Sequence, residues 1–263
     1  MDAVPRPVQI AAHHGVQAWS RFAAGDKSYR LVIRSGGVVG EPPVAAAKSA
    51  FDVDLGDDRH GRLTAVYSRD DGNLYALDVA SGRERELEAA STPKRYEYLP
   101  ALDRGRLAFV RHGGVYTRRL GGRAPTRRLR GPGGSFTALD LHGDHVAVSG
   151  DRLGAANYVS RVWLLPVKGG AFRSVARSGW GESQHAIVSV QIVRRQVRYA
   201  VSSGEEGGFD GFHAVSFQGR RLRSASAPSM ASAAFDGARL ARVRAEAYDK
   251  GCPAGGCAVE VVT

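Results

Sequence analysis

A short pattern recurs six times along the chain: an apolar run with an alanine at its centre, placed beside a glycine or basic turn. The alanines are Ala18, Ala65, Ala108, Ala147, Ala200 and Ala241, and the steps between them are 47, 43, 39, 53 and 41 residues. A period of about 40–50 residues is that of a propeller blade, whereas ankyrin and tetratricopeptide repeats are shorter and helical. The runs around the alanines, such as Leu63–Ser68 and Val197–Ser202, alternate with the period of two that belongs to strands. Each unit also divides into four strand-like runs; in the second these are Phe51–Gly56, Leu63–Arg69, Asn73–Val79 and Arg83–Glu88. Asp70-Asp71-Gly72-Asn73, between two of them, is a hairpin signal.

One four-stranded sheet has two faces to cover, and a ring of sheets covers every face. The expected fold is therefore all-β: a six-bladed β-propeller of four-stranded antiparallel blades, one domain over residues 1–263. The sixth unit reaches Thr263 after its third strand, so its blade is expected to be incomplete. The residues before Val8–Ala12 include Pro5 and Pro7 and would make a weak closing strand. With 43% hydrophobic residues and 33 glycines in 263, the composition suits a globular, turn-rich fold.

The net charge is +11, and only five of the 37 basic residues are lysines. Coding bias toward arginine explains this, and so does an anionic partner. Many arginines (Arg83, Arg85, Arg127, Arg128, Arg130, Arg173, Arg177, Arg221 and Arg223) fall on or beside predicted outer strands, where charge guards an exposed edge. That placement argues against a nucleic-acid partner, whose basic patch would cluster on one face. No stretch approaches the ~20 apolar residues of a membrane span.

Cys252 and Cys257 flank Pro-Ala-Gly-Gly at the base of a predicted hairpin, and a structural disulfide is expected between them. A metal site would need further ligands nearby, and the spacing is not that of a redox motif. A disulfide favours an oxidising compartment, extracellular or periplasmic with the leader absent from this sequence, the cytoplasm being the alternative.

The run Val66-Tyr67-Ser68-Arg69-Asp70-Asp71-Gly72-Asn73-Leu74-Tyr75-Ala76-Leu77-Asp78-Val79-Ala80-Ser81-Gly82 resembles the TolB-type, WD40-like (PD40) propeller repeat. The resemblance is partial at Gly114–Leu120 and faint at Arg161–Val167. It implies a six-bladed ring in an exported bacterial protein that serves as a scaffold for protein partners, and it carries no catalytic residue.

Connections leading into inner strands converge on one ring face, where propellers commonly bind. In this chain they hold Arg95, Tyr96 and Glu97, then Phe136, then Trp180, Glu182, Gln184 and His185. That mixture of aromatic, cationic and acceptor groups suits a partner surface, and a protein or cell-envelope component is the expected partner of a monomer. A glycan hydrolase or lyase with an axial site is the enzymatic alternative, its carboxylates drawn from Asp52, Glu97, Asp140 and Glu182. Binding of polyanions by surface arginine is a third reading.

Other patterns point to structure. Ser68, Asp70, Gly72 and Tyr75 echo a sialidase Asp-box once, and are read as a turn in which Asp70 bonds to backbone. Asp52 and Asp54 alternate along an inner strand rather than forming a calcium loop, although such carboxylates can line the axis. His13, His14, His60, His112, His142 and His145 adjoin turns and are read as loop residues. No metal, cofactor or catalytic residue is assigned.

Overall fold

A computed structural model describes residues 9–23, 25–87, 96–122, 124–151, 159–178, 185–203, 211–226, 230–236, 239–244 and 258–262. Within them there are strands and no helices. The first sheet holds β1 (Ile10–His13), β2 (Val16–Ala23), β3 (Ser28–Ser35) and β4 (Val38–Gly40). The second holds β5 (Val53–Asp57), β6 (Leu63–Ser68), β7 (Leu74–Asp78) and β8 (Glu84–Glu86). The third holds β9 (Glu97–Asp103), β10 (Arg106–Arg111), β11 (Gly114–Arg119) and β12 (Arg127–Arg128). The fourth holds β13 (Ser135–His142), β14 (His145–Asp151), β15 (Ser160–Pro166) and β16 (Arg173–Ser178). The fifth holds β17 (His185–Val193), β18 (Gln196–Ser203), β19 (Gly211–Ser216) and β20 (Arg221–Ser226). The last holds β21 (Met230–Asp236), β22 (Arg239–Arg244) and β23 (Ala258–Val262).

Every pairing is between neighbours in the chain and antiparallel, as short hairpins dictate. Five four-stranded blades are complete, and the six full blades of the ideal ring are not reached: the last sheet has three strands among the described residues. Residues 1–8, expected to offer a closing strand, lie outside that set. The ring closes through its first strands: β1 touches β5, β5 touches β9, β9 touches β13, β13 touches β17, β17 touches β21, and β21 returns to β1.

The apolar clusters lie between blades. One joins Leu31 of the first sheet to Leu55 and Leu77 of the second, and the next joins Val66 and Leu74 to Phe109 and Leu107. Others join Val110 to Trp163, and Leu164 to Val197. The second to fifth sheets thus each supply half of two cores, and a fully buried Phe109 contributes about 2–3 kcal/mol by burial alone. All six anchor alanines are buried, none more than 2% exposed, each on the second strand of its blade.

The Asp70–Asn73 turn forms as expected, with Gly72 at φ 81° and its amide donating to the Arg69 carbonyl at 3.0 Å. The carboxylate that bonds within the turn is Asp71, accepting from the Asn73 amide at 2.9 Å. Asp70 reaches out to the Lys48 amide instead. Arg85, Arg127, Arg128, Arg173, Arg177, Arg221 and Arg223 are exposed on four outer strands. The edge β4 is different: Val38 and Val39 stand exposed there without a charge.

Candidate functional site

Three places on the ring bring polar groups together. The first is an open groove of about 520 Å³ lined by Tyr98, His112, Gly113, Arg128, Gly133, Gly134 and Ser135. It sits where the chain enters β9 and β13, on the face expected from the sequence. His112 and Gly113 both have positive φ, 47° and 64°, the geometry of a tight two-residue hairpin turn. A side chain at Gly113 would press on the Gly134 carbonyl at 3.1 Å, so the groove's two walls approach closely there.

Tyr96 is exposed, and its ring lies 6.0 Å from that of Tyr98. Burial raises the Tyr98 hydroxyl above its ordinary pKa, while a bond to Phe136 backbone opposes the rise. Beneath the pair, Glu97 is fully buried and accepts from the Arg111 Nε at 2.7 Å. Arg111 also lies over the Phe109 and Tyr116 rings, at 5.2 and 5.1 Å. This pair locks the start of β9 to the end of β10, and so sets Tyr96 and Tyr98 against the His112 turn.

The second place is the axis. First strands of all six sheets line a cavity of about 40 Å³, with Asp54 and Asp140 in its wall. Asp54 accepts from the Leu102 amide at 2.8 Å and Asp140 from the Ile192 amide at 2.5 Å, each in the following blade. Gln191 does the same for Phe235, and Asp236 for His14 and Gly15. These bonds staple one blade to the next. Loss of hydration drives Asp140 up to about 7 and holds Asp54 well above the ordinary carboxylate range, the Asp140 charge adding to the Asp54 rise. Both carboxyls keep some contact with the channel. The volume admits a few waters and no sugar ring.

The third place, on the opposite face, gathers His13, His14 and Asp57.

The expected partner residues are divided. Tyr96 is presented to solvent beside the groove. Glu97 is withdrawn into the ion pair with Arg111 and is not available to a partner. Phe136 is buried, its ring edge-on to Trp163 at 6.4 Å. Arg95, Trp180, Glu182, Gln184, Cys252 and Cys257 lie outside the described residues, as does the side chain of His185. Of the carboxylates considered for catalysis, Asp140 faces the axis. Asp52 accepts from Ser68 Oγ and from the Leu99 amide. Leu99 is a buried residue at φ 49°, in a bulge that Asp52 helps to hold. His112, Arg128, Gly133 and Gly134 were not singled out from the sequence as partner residues, although the Gly-rich run signalled a loop.

No family model matches the chain, and no curated protein matches it. Solved structures resemble it in fold. A puromycin hydrolase variant complexed with PGG aligns at a TM-score of 0.64 and 15% identity, over 99% of this chain and 51% of that one. An oligogalacturonate lyase in complex with manganese aligns at 0.58 and 12%, over 88% of this chain and 68% of that one. The Cps50 (Swd1) β-propeller domain of Myceliophteria thermophila aligns at 0.55 and 13%, over 100% and 99%. The chain spans about half the length of the hydrolase. At these identities the likeness shows the β-propeller fold.

Proposed function

We propose that this propeller is a non-enzymatic binding module that docks a protein segment in the groove between Tyr98, His112, Arg128 and Ser135. The observation that carries the reading is the exposed Tyr96, paired with Tyr98 on a base fixed by the buried Glu97–Arg111 bond. A rigid aromatic pair beside an arginine and a wall of glycine backbone favours an extended peptide carrying an aromatic or proline residue and a carboxylate. The same reading takes residues 1–263 as one domain of TolB-type repeats and the cysteine pair as a disulfide of an exported protein.

The test is selection from a displayed peptide library, followed by calorimetry on the selected sequences. Tyr96→Ala and Arg128→Ala should each weaken binding about tenfold or more while circular dichroism stays unchanged. Selected peptides that bind both variants as tightly as the parent would refute the reading.

A glycan-active axial site is a second reading, favoured by the two buried carboxyls at Asp54 and Asp140 and opposed by the size of the cavity between the first strands. Turnover of an oligosaccharide that disappears in Asp140→Asn would revive it. Polyanion binding is opposed by the spread of exposed arginines over four outer strands.

A further inference from the structure

His13 ends β1 and His14 begins the turn into β2. Adjacent side chains on a strand project to opposite faces, yet these two rings stack with centroids 3.9 Å apart. The cause is the backbone: His14 sits at φ 51°, in the left-handed region, which swings its ring onto that of His13. Glycine, asparagine or aspartate usually occupies such a turn position, because the conformation costs other residues about 1 kcal/mol. Here Asp236, from the last sheet, holds the turn by accepting from the His14 amide at 3.2 Å and the Gly15 amide at 2.5 Å.

The stacked imidazoles face Asp57 at the end of β5. His13 Nε2 lies 3.4 Å from Asp57 Oδ2, and His14 Nδ1 lies 3.9 Å from Asp57 Oδ1. The buried His13 Nε2 makes no hydrogen bond within the described residues. One nitrogen from each ring and a carboxylate oxygen all lie within 4.8 Å of one another. Ligand atoms about 2.0–2.2 Å from a tetrahedral ion stand about 3.3 Å apart, so the His13–Asp57 spacing already fits. The exposed His14 ring closes the rest by a small rotation. Two imidazoles and one carboxylate suit zinc and its neighbours among the divalent transition metals, rather than calcium or magnesium, which prefer oxygen.

We infer that His13 Nε2, His14 Nδ1 and the Asp57 carboxylate form a three-ligand site for a divalent transition metal. Asp236 positions the turn that presents the two histidines. The solvent side, where His14 is exposed, leaves a coordination position open to water or to a donor from a bound molecule. The site bridges the first and second blades and is separated by the length of the inner strands from the Tyr96 groove, so it stands or falls independently of the proposed docking surface.

The experiment uses the full chain without an affinity tag, freed of metal by chelation and titrated with cobalt(II) as a coloured stand-in for zinc, then with zinc by calorimetry. One equivalent should bind, with the visible absorption of a nitrogen- and oxygen-ligated cobalt. His14→Asn keeps a residue suited to the left-handed turn while removing a ligand, and should weaken binding about tenfold or more, as should Asp57→Asn. Zinc should raise the melting temperature of the parent and not that of His14→Asn. His142→Gln, on another turn, should bind like the parent. Absence of one-to-one binding, or parental affinity in both His14→Asn and Asp57→Asn, overturns the assignment.

Discussion

Replacing Asp140 with asparagine removes a charge while leaving a carbonyl oxygen to accept from Ile192, so it isolates the cost of ionising a carboxyl at the ring axis. In the folded protein Asp140 titrates at about 7, against about 3.9 for an unfolded chain. Below pH ~4 the group is protonated in both states and costs nothing. As the pH rises toward 7, the unfolded chain ionises first, and stability falls; above 7 the loss is complete. Three pH units correspond to about 4 kcal/mol, and contact with channel water reduces this, giving about 2–4 kcal/mol. His145 and His213, whose pKa values are lowered chiefly by burial, impose the opposite slope near neutrality, but they are common to both proteins. The measurement is therefore the difference between parent and Asp140→Asn in urea unfolding free energy from pH 4 to pH 8. The variant should gain about 2–4 kcal/mol relative to the parent across that range, with some help from Asp54, which loses a repelling neighbour. A difference that stays constant within about 0.5 kcal/mol would show that Asp140 is not held protonated, and the account of the axis would fail.

Arg111→Ala should cost about 3–5 kcal/mol by leaving Glu97 buried with its charge, while the double change of Glu97 and Arg111 to methionine should recover most of that; denaturant melts of the three proteins decide. Gly56→Ala should cost about 3 kcal/mol or more, because its Cβ would lie 2.0 Å from the Leu102 carbonyl oxygen, where β5 passes β9. Gly133→Ala meets open space and should melt within a degree or two of the parent. Tyr96→Ala should likewise leave the melting temperature unchanged, since the ring is exposed; a large drop would assign it to packing instead of docking.

Much of the blade pattern was written in local chemistry. The anchor alanines, the Asp70–Asn73 turn and the arginine-rich outer strands each act through neighbours in the chain or through the two faces of one strand. The strand boundaries of the second sheet fell within about a residue or two of expectation for that reason. Glu97 shows where such reading fails. Counting back from the Asp103–Arg106 turn would pair Glu97 with His112, but the bulge at Leu99 shifts the register and delivers it to Arg111. A charge that looked like part of a loop surface became a buried support for one. Phe136 failed differently, because whether an aromatic at a strand start points outward depends on the packing of the preceding blade, whose Leu99 and Val110 share its core.

The repeat by itself determined that this chain makes antiparallel four-stranded sheets unable to bury their own faces, since strand period and turn chemistry are properties of adjacent residues. What only the closed ring decided is which distant residues meet: Asp54 with Asp140 at the axis, His13 and His14 with Asp57, and Asp236 with the first hairpin. Those encounters depend on how many sheets surround the axis and how far each is turned against the next. That is fixed by the sum of all the interfaces between blades, and no single stretch of sequence contains it.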